Sequence, residues 1–266
     1  MNKENNYLKI NKKLWNQKVD YHMKSDFYDV NGFMSGNSSL NKIELDLLGG
    51  ITGKTILHLQ CHFGQDTISL GRMGAKVTGI DLSDKAIEQA KILAQKTKVN
   101  ARFICCDIYD LPNHLNEQFD IVFTSYGTIG WLPDLNKWGQ IISKFLKPQG
   151  KFIFTEFHPI VWMFDYDFNK IEYCYFKSDA IIEEETGTYA NKDAPIKSKS
   201  ITWNHSISEV INNLISNGLE LNSFNEYDYS PYDCFNQTKE IAPHKFRIKH
   251  LENKIPMVYS LVATKK

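Results

Sequence analysis

The chain has 266 residues, enough for one large domain or a domain with a subdomain, and 42% of them are hydrophobic and 23% charged. Lysine plus arginine and aspartate plus glutamate each number 31, so the basic excess with which nucleic-acid binders grip phosphates is missing, and no nucleic-acid partner is expected. The polar start MNKENNYLKINKK and the lack of any apolar run near ~20 residues exclude a signal-peptide core and a membrane span, so we expect a cytoplasmic protein with no membrane partner. The five cysteines are scattered without a C-x-x-C pair, as in a protein with reduced thiols and no metal site.

Residues 1–40 crowd Trp15, Tyr21, His22, Phe27, Tyr28 and Phe33 into a segment of weak periodicity. Two readings stand: a helical arm packed on the sheet edge, or a lid that closes over a ligand. Asn41 to Leu48 reads as a short helix stopped by Gly49 and Gly50. Lys54 to Gln60 carries Ile56, Leu57 and Leu59, the apolar run of a buried parallel strand. The turn Gln60-Cys61-His62-Phe63-Gly64 holds a single glycine, which tolerates a backbone shape or close approach that a side chain would forbid. Ile68, Leu70 and Met73 give the following helix its apolar face. Ala75 to Ile80 is a second buried strand, with Asp81 at its carboxyl end. An open α/β sheet binds ligands at that edge, and a carboxylate there can accept two hydrogen bonds from a ribose diol.

Ser83 caps a helix from Asp84 to about Thr97. Ala101 to Cys106 is a third strand, ended by Asp107. Phe119 to Thr124 is the fourth, followed by Ser125, Tyr126 and Gly127. Asp134 starts a helix reaching Leu146, and Trp131 before it is either core or a cleft wall. The fifth strand, Lys151 to Phe157, ends in His158 and Pro159. Histidine titrates near neutrality, so His158 is either a proton acceptor or a side chain fixed in the turn. Residues 160–202 break the strand–helix alternation with a tyrosine-rich stretch, read as a substrate-covering insertion. Asn204 to Asn217 is an amphipathic helix with His205 near its start. Leu219 to Tyr229 and Met257 to Thr264 form a closing antiparallel pair, and the segment between them reads as a long polar loop. Five strand–helix alternations with acids after the second and third strands give an α/β doubly wound sheet.

The stretch LHLQCHFGQDT resembles motif I of the class I S-adenosylmethionine-dependent methyltransferases, in a subgroup where Gln60 and His62 replace glycines and His58 replaces the usual acidic residue. The resemblance covers roughly residues 40–160. It implies a seven-stranded Rossmann-like sheet of order 3-2-1-4-5-7-6 with the last strand antiparallel, as a single methyltransferase domain over 1–266. It implies S-adenosyl-L-methionine as cofactor, with Asp81 on the ribose, and Asp107 and Ile108 on the adenine. Gly64, the backbone at Gln60 and Cys61, then Leu82, Ser125 and the lid residue Trp15 complete the expected cofactor set. The expected reaction is in-line methyl transfer to a small molecule, with His158 and Tyr126 as candidate catalytic residues, in a monomer or homodimer. The turn S-Y-G-T after the fourth strand lacks the N-P-P-Y or D-P-P-Y of enzymes that methylate nucleic-acid amines. Three alternatives remain at this stage: a non-catalytic adenosyl-ligand sensor or binding protein; a nicotinamide-dependent oxidoreductase, which the missing G-x-G-x-x-G disfavours; and a protein or RNA methyltransferase, which the aromatic cleft and neutral charge disfavour.

Overall fold

Side-chain alternation along the strands decides what each face of the sheet buries. In the computed structural model, which describes residues 6–266, strand β1 (Thr55–His58) sends Ile56 to one side and Leu57 to the other. Strand β5 (Leu146–Phe157) does the same with Ile153 against Phe152 and Phe154. β2 (Lys76–Asp81), β3 (Ala101–Cys105) and β4 (Phe119–Ser125) run parallel with these two. β8 (Leu219–Tyr227) and β11 (Val258–Lys265) close the far edge, with β11 antiparallel to both neighbours.

The sheet order is β3-β2-β1-β4-β5-β11-β8. Counting only the strands of this sheet, that is the expected 3-2-1-4-5-7-6 with the reversed last strand. The order changes direction between β1 and β4, which opens a crevice at the carboxyl edge.

One face carries α6 (Leu135–Phe145) and α7 (Ile207–Ser216) over Trp138, Phe145, Phe152, Phe154 and Tyr259, all buried. Each fully buried aromatic of this kind contributes roughly 1.5–3 kcal/mol. The other face carries α1 (Tyr7–His22), α4 (Gln65–Arg72) and α5 (Asp84–Thr97), over Val19, Phe63, Ile68, Leu93 and Phe103. Caps fix where the helices begin: Ser83 accepts from the Ala86 N–H, Asp134 from Lys137 and Ser206 from Glu209.

Short α2 (Val30–Met34) and α3 (Lys42–Leu48) lead into the sheet. At the amino edge, Asp120 accepts from the Thr55 N–H at 2.8 Å and from Lys147 at 2.9 Å, joining the starts of β1, β4 and β5.

The insertion at 160–202 contains an antiparallel hairpin, β6 (Ile181–Thr186) and β7 (Lys197–Thr202). One segment differs from expectation. The stretch between the last two sheet strands is not a bare loop: β9 (Thr238–Ala242) and β10 (Lys245–Ile248) pair within it. β9 is largely exposed and mostly charged or polar, so it lacks the apolar alternation that marks a strand. Only Ile248 anchors the hairpin in the interior. Among the described residues no helix is long and apolar enough to cross a membrane.

Candidate active site

The carboxyl ends of β1 to β4 open into one cavity of about 1410 Å³, roofed by α1, the segment after it and the 160–202 insertion. That exceeds the ~300–1,000 Å³ common for a pocket holding one small molecule, so there is room for two.

Asp81 ends β2 and lines the cavity. Its Oδ2 accepts the His62 N–H and its Oδ1 the Ser83 N–H, both at 2.8 Å. These two bonds fix the carboxylate and leave each oxygen a free lone pair toward the cavity. Burial pushes its pKa up to about 6, against the pull of those backbone donors. Asp107, two residues past the partner of Asp81 on β3, also lines the cavity, and desolvation raises its pKa. Ile108 is buried behind it, and Leu82 and Trp15 face the same space.

The turn after β1 keeps the shape of a glycine loop without the glycines. Gln60 has φ +54° and His62 +49°, the left-handed region, at a cost of order 1–2 kcal/mol each. In return, both side chains reach the cavity wall. The Gln60 Nε2–H donates to the Thr128 carbonyl at 2.9 Å, while its Oε1 is buried with no partner. Cys61 is buried, and its N–H is committed to the Ile80 carbonyl at 2.8 Å. Gly64 is required by packing as well as by its φ of +79°, because a Cβ there would sit 2.7 Å from the Phe103 ring and 2.9 Å from the Ala90 Cβ. His58 is buried, 2.8 Å from the Thr67 hydroxyl, and burial lowers its pKa to about 3, leaving a neutral ring.

An aromatic box stands over this turn. Trp15 meets His62 and Trp131 edge-on, each at 5.2 Å between centroids. His62 Nε2 is 3.0 Å from His22 Nδ1, and burial holds both rings neutral. The Tyr28 and Tyr189 hydroxyls meet at 2.5 Å, and Lys18 reaches Glu185 at 3.4 Å, so the first helical segment and the insertion are joined across the cavity. Asn11 and Ile201 add two further bonds between α1 and β7.

The opposite end of the cavity is built from the ends of β4 and β5. Ser125 donates to Asp66 at 3.2 Å, and the Tyr126 hydroxyl donates to Glu44 at 3.0 Å. Glu156, buried at the end of β5, accepts the N–H groups of Gly127, Thr128 (2.7 Å), Ile129 (3.2 Å) and Phe157 (2.7 Å), and the Thr128 hydroxyl at 2.8 Å. It holds the loop after β4 in place.

The sequence matches the family described as "Methyltransferase domain" over residues 52–224. The chain belongs to this methyltransferase family. A ubiquinone biosynthesis O-methyltransferase of Alkalilimnicola ehrlichii is 29% identical over 135 residues, 49% of this chain and 54% of that protein. The chain thus matches about half the length of such curated relatives. Solved S-adenosylmethionine-dependent methyltransferases share the fold. One from Mesorhizobium loti has TM-score 0.57 at 18% identity, covering 87% of this chain and all of its own. One from Clostridium acetobutylicum has TM-score 0.58 at 15% identity, covering 96% and 98%. Family and fold thus place the chain in a methyltransferase family on a Rossmann-like sheet, as expected.

The methyltransferase brings together at one cavity Trp15, Gln60, Cys61, Gly64, Asp81, Leu82, Asp107, Ile108, Ser125 and Tyr126, all named from the sequence. His158 is not among the lining residues. Its Nδ1 accepts the Ile160 N–H at 3.2 Å, and its Nε2 lies 3.0 Å from Glu226. Both ring nitrogens are therefore committed, and burial lowers its pKa although Glu226 opposes the shift. His205 is buried too, 2.8 Å from the Leu132 carbonyl, and does not reach the cavity. Sequence reasoning passed over Glu44, Asp66, Tyr232 and the clamp role of Glu156. Glu44 carried a signal: Asn41-x-x-Glu44 has capping-box spacing, and Glu44 Oε1 accepts the Asn41 N–H at 3.4 Å and the Asn41 side-chain amide at 3.3 Å. Nothing in that pattern says that the same carboxyl also holds Tyr126.

Proposed function

We propose that the enzyme transfers a methyl group from S-adenosylmethionine to a small-molecule acceptor bearing a hydroxyl. One observation carries the reading: Asp81 and Asp107 stand at the carboxyl ends of the neighbouring strands β2 and β3 and face a single cavity. Asp81 would accept the ribose diol and Asp107 the adenine amino group. The unpartnered Gln60 Oε1 suits the methionine ammonium, a donor that the usual glycines leave to backbone carbonyls. The donor fits these residues.

S-adenosylmethionine supplies an activated methyl group, so the protein's task is alignment and exclusion of water. Trp15, Tyr28, His62, Trp131 and Tyr189 enclose the space above the turn. Residues 1–40 act as a lid, of which the first five lie outside the described residues, and the 160–202 insertion covers the acceptor. The O-methyltransferase relatives support a hydroxyl acceptor. The five unpaired cysteines support a cytoplasmic setting, and the balanced charge supports a small acceptor over nucleic acid.

The test is calorimetry with S-adenosylhomocysteine. Asp81→Ala should weaken binding at least tenfold, matching about 1.5–3 kcal/mol for a hydrogen bond to a charged group. Unchanged affinity, or binding of NAD in its place, would reject the reading.

A further inference from the structure

Glu44 stands outside everything assigned so far. It is fully buried on α3, and its two oxygens have separate duties. Oε1 takes the Asn41 N–H and side-chain amide, the ordinary work of a helix cap. Oε2 takes the Tyr126 hydroxyl at 3.0 Å, across 82 positions of sequence. Capping explains the first oxygen only, and exposed carboxylates cap equally well.

Tyr126 is the first residue past β4. Its ring lies 5.1 Å from Tyr232 and 5.4 Å from Phe157, and it lines the cavity beside Ser125 and Asp66. A buried carboxyl is thus joined to the acceptor space by one phenol.

The groups that face Glu44 are Asp66 from α4, Tyr126 after β4, and Tyr229 and Tyr232 from the segment between β8 and β9. Lys42, two residues earlier on α3, is exposed and turned to Asp46 at 2.9 Å. Among the described residues no cation faces Glu44, and only hydrogen bonds from Asn41, Tyr126 and its own backbone favour the ionised form against burial and Asp66. A buried carboxyl left uncompensated by a cation stabilises a fold poorly. It is well suited to take up a proton.

We propose that Glu44, acting through Tyr126, is the proton acceptor for the acceptor's hydroxyl. This rests on the donor and acceptor assigned under Proposed function. As the acceptor oxygen bonds to the methyl carbon, the carbon–sulfur bond breaks and its electron pair stays on sulfur. The hydroxyl proton passes to the Tyr126 oxygen, and the proton of Tyr126 passes to Glu44 Oε2. Neutral Glu44 then releases that proton to water. Tyr126 touches the acceptor; Glu44 is a positioning residue and proton reservoir behind it. Burial, with the charge of Asp66 adding to it, pushes Glu44 up to about 7, in the range where a base works best near neutral pH.

Glu44→Gln is the discriminating change, because an amide oxygen still accepts from Tyr126 but no longer takes its proton. Methyl transfer to catechol from pH 5 to 9 is the assay. We expect kcat to fall on the order of 100-fold, loss of the acidic limb and partial recovery in Glu44→Asp. The KM for S-adenosylmethionine should stay within about threefold. Independently of turnover, the Glu44 side-chain carboxyl should titrate near pH 7 by 13C NMR with S-adenosylhomocysteine present. Tyr126→Phe should shift that midpoint and reproduce the kinetic loss, and it serves in place of Glu44→Gln if that variant does not fold.

Retention of a third of kcat or of the acidic limb in Glu44→Gln overturns the proposal. So does a Glu44 midpoint in the ordinary carboxylate range, or a wild-type enzyme that leaves catechol untouched. Absence of S-adenosylhomocysteine binding to the wild type would instead overturn the donor assignment.

Discussion

The two halves of the cavity are made differently. The half we propose for the nucleoside comes from one continuous run, Gln60 to Ile108, in which each strand end delivers its residue beside the last. Its carboxylate Asp81 is fixed by backbone N–H groups, Ser83 from its own turn and His62 from the turn after β1. The acceptor half draws Glu44, Asp66, Tyr126 and Tyr232 from four separate elements and joins them through side chains. Backbone-fixed recognition suits a ligand that never changes. Side chains contributed by separate segments can change one at a time, so the acceptor can differ among proteins that share the donor.

The largest expected break in this comparison is at Glu156, which supports both halves. Glu156→Ala strands several buried N–H groups, and we expect a loss of about 3–5 kcal/mol in denaturant-monitored stability. A loss below 1 kcal/mol would show that the loop after β4 holds itself.

The acid pair Glu44 and Asp81 gives a pH signature next. Both are raised in the folded state, from 4.5 to about 7 and from 3.8 to about 6. The folded protein then binds protons more tightly than the unfolded chain. Their contribution to stability is full below the unfolded values and is lost as pH climbs through 6 to 7. The ligand-free melting temperature should fall between about pH 5 and 7.5, and Glu44→Gln should flatten the acceptor-side part of that fall.

At the turn, Gln60→Gly should leave stability within about 1 kcal/mol, since glycine adopts the left-handed backbone without strain. Affinity for S-adenosylhomocysteine should drop a few-fold by calorimetry, because the buried amide oxygen is gone. Unchanged affinity would make Gln60 a purely local feature. The smallest effect belongs to His158→Gln. With both ring nitrogens turned to Ile160 and Glu226, kcat/KM should hold within about twofold, under 0.5 kcal/mol.

The same division governs what could be read in advance. Asp81 and Asp107 were legible because an open α/β sheet binds ligands at its carboxyl edge, where Asp81 ends β2 and Asp107 stands two residues past β3. The sheet order followed from family likeness, and helix caps such as Ser83 and Asp134 from local chemistry. His158 also sits at a strand end, yet its ring turns to β8 and its partner Glu226, a contact across the sheet that spacing along the chain does not encode. Glu44 and Tyr126 are equally distant in sequence, and only packing of α3 against the end of β5 brings them together. The β9–β10 hairpin escaped because β9, exposed and mostly charged or polar, carries no period-2 signal, and the alternation of Lys245-Phe246-Arg247-Ile248 in β10 is only four residues long.

Thr128 has one more consequence. Its carbonyl receives the Gln60 amide and its N–H and hydroxyl are gripped by Glu156. A single residue is thereby bolted to both sides, to the turn after β1 through Gln60 and to the end of β5 through Glu156. Whatever stiffens the Gln60 side of this residue also bears on the Glu156 side, so the two ends of the cavity are mechanically linked through Thr128.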